Sequence, residues 1–138
     1  MSKLDNESTV ESFLNNVHKI ITDKNFSIPR NFYLIQDRRN YSPNNKYTNK
    51  STLIDLGYRV EDVVNEILLL TTAHYKETII DDKAGKKKPF YCFIKEIEGR
   101  QVYIKIKISE DKDKQVFCVS FHFAEYNVDD SQFPYLKK

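Results

Sequence analysis

The chain has 138 residues, 40% of them apolar and 30% charged, and a formal net charge of +2. That length fits one domain with a sizeable core, and only three Gly and four Pro exclude a low-complexity or loop-dominated chain. No apolar run of about 18 residues marks a transmembrane helix. The opening "MSKLDNEST" lacks the apolar stretch of a signal peptide, so a cytoplasmic location is expected.

The first predicted element is a helix from about Ser8 to Ile21. Ser8 and Glu11 have capping-box spacing, and Val10, Phe13, Leu14, Val17, Ile20 and Ile21 form one apolar stripe. His18 lies beside that stripe as a boundary residue. Residues 26–50 then make a long loop, with Pro29, Pro43, a cluster of Asn, and a short-strand candidate in "FYLI". Arg38 and Arg39 sit here between Tyr33 and Tyr41. Cations interleaved with aromatics can grip phosphates and stack on bases, although a solvated loop has the same composition.

"KSTLIDLG" predicts a short helix stopped by Gly57. "YRVEDVVNEILLL" predicts the securest core helix, through Val60, Val63, Val64, Ile67 and Leu68. A strand is expected near Tyr75 to Ile80, followed by a lysine-rich loop with Lys83, Lys86, Lys87 and Lys88. "FYCFIKEI", "QVYIKIKI" and "VFCVSFHF" complete a meander of three or four antiparallel strands. Helices first and strands second predict an α+β domain over 1–138 with no internal boundary. Cys92 and Cys118, in apolar strands, read as buried free thiols of a reducing compartment; a disulfide across adjacent strands is the alternative.

Strand parity decides which side chains can meet. Val102, Ile104, Ile106 and Ile108 point one way, and Tyr103, Lys105 and Lys107 the other. Phe117, Val119, Phe121 and Phe123 share a face, leaving Ser120 and His122 opposite. For "FYCFIKEI" an apolar set of Phe90, Cys92 and Ile94 would leave Tyr91, Phe93 and Lys95 on the other side. One open face is thus expected to gather Tyr91, Lys95, Tyr103, Lys105, Lys107, Ser120 and His122, with no Asp or Glu. Such a face suits a polyanion whose bases stack; lysines guarding a wet sheet face would look the same.

The same groups fit metal-free RNA cleavage, in which the 2′-OH is the nucleophile. That chemistry needs a base, an acid and cations around the phosphorane, and histidine is the natural proton carrier near neutral pH. Glycine-rich phosphate loops, HExxH and CxxC are absent from the sequence, so neither a metal nor a cofactor is expected. Glu125 is a candidate to orient His122. A Cys–His nucleophile pair fits less well with the apolar surroundings of both cysteines.

The runs "LIDLGYRVEDVVNEILLLTTAHYKE", "PFYCFIKEIEGRQVYIKIKI" and "VFCVSFHFAEY" resemble the MqsR family of bacterial type II toxins. The resemblance covers roughly Leu53 to Tyr126. It implies a RelE-like fold, metal-independent endoribonuclease activity on mRNA (an mRNA interferase), and a cognate antitoxin as partner. Lys76 in "HYKE" and Tyr103 in "QVYIKI" match family residues implicated in catalysis, and His122 stands where a lysine is found. Lys95 or Tyr91 would stand in for a family glutamine. The longer loop at 26–50 and a tail at 127–138 depart from the pattern.

The expected catalytic set is therefore His122, Tyr103, Lys76, Lys105 and Lys95. Arg38, Arg39, Lys86, Lys87, Lys88, Tyr91 and Lys107 are expected to bind RNA. The alternatives are a non-catalytic RNA- or DNA-binding module and a regulatory protein-interaction subunit.

Overall fold

The computed structural model describes residues 2–35, 47–80, 88–110 and 113–137. Among these, three helices and a six-stranded mixed sheet form an α+β arrangement. The strands are β1 (Ser2–Lys3), β2 (Phe32–Leu34), β3 (Tyr75–Ile79), β4 (Phe90–Ile97), β5 (Arg100–Ser109) and β6 (Gln115–Phe123). Their order across the sheet is β1-β3-β4-β5-β6-β2. The expected antiparallel meander is β3 to β6. The short-strand candidate in "FYLI" is β2, which pairs parallel with β6 at one edge; β1, which pairs antiparallel with β3 at the other edge, was not expected. With two residues, β1 is too short for side-chain alternation to reveal it.

Helix α1 (Glu7–Ile21) buries all six residues of its predicted stripe, each contributing about 1.5–3 kcal/mol relative to exposure. Its cap is Asn6 rather than Ser8: the Asn6 side chain accepts from the Thr9 amide at 2.9 Å, and the Ser8 hydroxyl donates to it. Helix α2 (Asn49–Leu56) is capped by Thr48 and ends at Gly57, whose φ of 70° is the left-handed conformation glycine tolerates. Helix α3 (Val60–Leu68) buries Val63, Val64 and Ile67. Opposite them lie Phe93 and Ile97 of β4, Val102, Ile104 and Ile106 of β5, and Val116, Cys118, Phe121 and Phe123 of β6.

Two register shifts govern which side chains reach the uncovered face. In β6 the pairing steps from Lys105↔Ser120 to Ile106↔Cys118, so Val119 is the extra residue of a β-bulge. An unbroken alternation would group Phe117 with Phe121; the bulge instead puts Val116, Cys118, Phe121 and Phe123 on the helix side. Phe117, Ser120 and His122 are left on the open side. In β3 the shift lies between Tyr75 and Glu77, with Lys76 as the extra residue.

Helix α2 holds the β6 bulge in place. β2 covers only residues 116–118 of β6, and beyond it side chains of α2 replace a neighbouring strand. Asn49, 6% exposed, donates to the carbonyls of Val119 and Ile35, both at 3.2 Å, and accepts from the Phe121 amide at 2.9 Å. The buried Thr52 hydroxyl accepts from the Phe123 amide at 2.9 Å. These bonds satisfy edge groups that would otherwise be buried without partners.

The tail begins on the open side of β5, where the Gln101 amide bonds both backbone groups of Val128 at 2.7 Å. It ends at the other edge of the sheet. There Tyr135 donates to the Asp5 carbonyl and stacks on Tyr75, ring centroids 5.9 Å apart. The tail therefore crosses the β3–β4 side of the sheet at the end where β5 begins. Cys92 and Cys118 are both buried and free. They sit on opposite faces, on strands separated by β5, which rules out the cross-strand disulfide.

Candidate active site

Tyr103 and His122 are directly paired across β5 and β6, and their rings stack with centroids 5.6 Å apart at 29°. Lys105 and Ser120 form the next pair along the same face. The His122 Nδ1 lies 3.0 Å from the Phe123 carbonyl oxygen. A carbonyl only accepts, so this bond puts the proton on Nδ1 and leaves the Nε2 lone pair as the basic position. Glu125, expected to orient the imidazole, is exposed; the backbone carbonyl does this instead.

The Tyr103 hydroxyl donates to the Cys92 thiol at 3.2 Å. Burial pushes the Cys92 pKa up to about 11, against opposing effects of the Tyr103 hydrogen bond and the Lys105 charge. Cys92 is thus a neutral, inert neighbour that fixes the phenol. Complete burial also pushes the Cys118 thiol up, and its Sγ donates to the Ser120 carbonyl at 3.2 Å. A Cys–His nucleophile pair has no support in this arrangement.

Lys76 reaches this side of the sheet at its β3 margin, where its Nζ lies 3.2 Å from Glu77. Glu77 pairs with Cys92, so the open face carries a carboxylate where none was expected. The β3 bulge places Glu77 there, and alternation alone does not predict a bulge.

Lys95 and Tyr91 lie elsewhere. On β4 the helix-side set is Tyr91, Phe93, Lys95 and Ile97, the reverse of the expected parity; Phe90, Cys92 and Ile94 face the open side. Lys95 makes an ion pair of 2.6 Å with Glu66 of α3, both side chains 16% exposed. Tyr58 donates to the same carboxylate at 2.5 Å. Tyr91 stacks on Phe13 of α1 with centroids 3.9 Å apart. Neither can act on a group held between Tyr103 and His122, because the sheet separates them. The apolar set misled because Cys92 and Ile94 are buried although they lie on the open side, 0% and 4% exposed.

Lys107 is on the open face, its Nζ 4.8 Å from the Phe90 ring centre and 5.7 Å from that of Phe117. Lys88 is exposed and lines a separate cleft of about 800 Å³ between α1 and the end of the sheet, together with Phe13, Tyr91, Arg30 and Lys114. Arg38, Arg39, Lys86 and Lys87, like Lys83, lie outside the described residues. Among the described residues, no group of three or more His, Cys, Asp or Glu could hold a metal ion, and no helix is long and apolar enough to cross a membrane.

The arrangement defines a class: an α+β protein whose mixed sheet is covered by helices on one face and presents an imidazole, a phenol and ammonium groups on the other. In comparison with known proteins, no family model, no curated protein and no solved structure matches the chain.

Proposed function

We propose that the open sheet face binds RNA and cleaves it without a metal, and that the protein is the toxin of a type II toxin–antitoxin pair with a RelE-like fold. The resemblance of Leu53 to Tyr126 to the MqsR family supports this reading. The observation that carries it is the stacked Tyr103–His122 pair, with Nδ1 engaged by the Phe123 carbonyl and Lys105 one pair further along.

In the proposed reaction His122 Nε2 takes the proton of the 2′-OH as the 2′ oxygen attacks phosphorus. The bond from phosphorus to the 5′ oxygen breaks, leaving a 2′,3′-cyclic phosphate and a 5′-OH. The Tyr103 hydroxyl supplies the proton to the leaving 5′ oxygen. Lys105 and Lys76 stabilise the charge that builds on the phosphorane oxygens. Proton transfer by a positioned group contributes about 10²–10⁴-fold, so loss of either ring should be visible at once.

The test is purified protein with RNA in the presence of a chelator, and mapping of the ends formed. Cleavage giving 5′-OH ends, reduced on the order of 100-fold or more in His122→Ala and strongly reduced in Tyr103→Phe, supports the enzyme. Intact RNA that remains bound to wild type identifies a binding module. Neither cutting nor binding leaves the regulatory subunit, for which arrest of growth on induced expression is the further discriminator.

A further inference from the structure

The open face carries a second feature that catalysis does not use. Three aromatic rings run across the sheet at the end away from the tail: Phe90 of β4, Phe117 of β6 and Tyr33 of β2. Phe90 and Phe117 have centroids 6.3 Å apart, and Phe117 and Tyr33 5.7 Å. Lys107, between the two phenylalanines, holds its ammonium over both rings. Tyr33 is 39% exposed on an edge strand, and both phenylalanines are half-exposed although the helix-side core lies on the far side of the sheet. An aromatic row under a cation, open to solvent, is the arrangement that stacks bases and holds the phosphate beside them.

The geometry points to a base-stacking subsite for single-stranded RNA, formed by Phe90, Phe117 and Tyr33 with Lys107 on the adjoining phosphate. This deepens the proposed function and rests on RNA being the ligand of this face. Lys107 is four residues along β5 from Tyr103, or about 13 Å at the rise of a strand. The stacked base therefore belongs to a nucleotide beyond the two joined by the scissile phosphate. The subsite would grip the strand and set its register, and would not take part in bond breaking. Duplex RNA buries its base faces, so the row should discriminate against it.

The lysine in the middle of the row makes the prediction specific. With no RNA present, the Lys105 ammonium lies over Phe90, 4.8 Å from its centroid, and the Lys107 ammonium lies over both phenylalanine rings. A base sliding onto the rings displaces it outward, towards the phosphate that the same nucleotide brings. Aromatic stacking and charge neutralisation are then coupled through one side chain, and removing Lys107 should lower the salt dependence as well as the affinity.

The experiment measures binding of a fluorescein-labelled 12-mer single-stranded RNA to His122→Ala protein, in which the RNA stays whole. Adding Phe117→Leu or Tyr33→Ser should weaken binding on the order of tenfold. Lys107→Met should weaken it and reduce the slope of log affinity against log salt by about 0.7. A duplex of the same sequence should bind more weakly and be insensitive to all three changes. Tyr33→Ser alters an exposed side chain and keeps the test valid if Phe117→Leu unfolds. Unchanged affinity in a folded Tyr33→Ser and a folded Lys107→Met overturns the subsite. Wild type that binds RNA through these residues but leaves it uncut overturns the nuclease and keeps the subsite. His122-dependent cutting with the same affinity and cut pattern in the row variants overturns the subsite alone. Protein that binds no single-stranded RNA overturns both.

Discussion

Replacing Asn49 by Ala should unsettle the open face from behind, without touching any group on it. The side chain makes three hydrogen bonds: two donated to the carbonyls of Ile35 and Val119 and one accepted from the Phe121 amide. Each buried polar group left without a partner costs about 1–3 kcal/mol. Phe121 is fully buried and its amide takes the full penalty, whereas Ile35 and Val119 are half-exposed and water recovers part of theirs. The sum is about 3 kcal/mol, which for a domain of this size lowers Tm by roughly 10 °C. Asn49→Asp keeps the acceptor for Phe121 but turns a carboxylate oxygen towards two carbonyls, and should be at least as damaging. Urea unfolding reads the stability, and amide exchange at Phe121 reads the bond itself. Because the Val119 bulge lies beside the Lys105–Ser120 and Tyr103–His122 pairs, the proposed RNA cleavage should fall in the same variant at temperatures where it is still folded. A loss below about 1 kcal/mol, with the Phe121 amide as protected as before, would show that the β5–β6 ladder holds the bulge alone and that this reasoning is wrong.

Two further outcomes separate structural groups from catalytic ones. Lys95→Met strands the Glu66 carboxylate between helix and sheet with only Tyr58 as donor; stability should drop by about 2 kcal/mol, measured by urea unfolding, while the cleavage rate per folded molecule stays unchanged. Burial beneath the sheet lowers the His74 pKa, with the Lys95 charge acting in the same direction. Its neutral form is thus favoured in the folded state, and the stability this gives is present above the ordinary histidine pKa of about 6.5. It is lost as pH falls from there through the lower folded value. His74→Asn keeps an acceptor for the Thr71 amide, which now bonds Nδ1 at 3.0 Å, and thermal unfolding from pH 7 to 5 should show a shallower loss of stability than wild type.

Much of the frame was legible because burial writes a period into the sequence. The α1 stripe, the α3 stripe and the isoleucine row of β5 each repeat at the spacing of their element, and each faces the core. Gly57 was legible for a local reason, the positive φ that ends α2. What was hidden depends on single residues out of step. One extra residue at Val119 reverses half of β6, bringing Phe117 to the face of His122. One at Lys76 puts Glu77 beside Cys92. β4 was misassigned because both of its faces are apolar: Phe93 and Ile97 under the helices, Cys92 and Ile94 on the open side. Asn49 was missed because an amide at the start of a short helix reads as a polar surface residue. Its burial comes from the β6 edge, 70 residues away in the chain, to which it bonds.

The same local shifts support the proposed strand-like ligand over a compact anion. The tail crosses the sheet near the start of β5, and β3 brings the Lys76–Glu77 pair to one margin. Between these limits, β5 and β6 form a strip running from the Tyr103–His122 pair, past Lys105 and Ser120, to Lys107 and Phe117. Along that strip chemical character changes stepwise: an imidazole and a phenol, then a cation, then a cation over aromatic rings. A small phosphate ester would occupy one step and gain nothing from the others. A single-stranded polynucleotide presents a phosphate and a base at each repeat and can use all of them. The β6 bulge makes this strip continuous. With unbroken alternation from Phe117 to His122, the two would fall on opposite sides of the sheet, and no single strand could meet both.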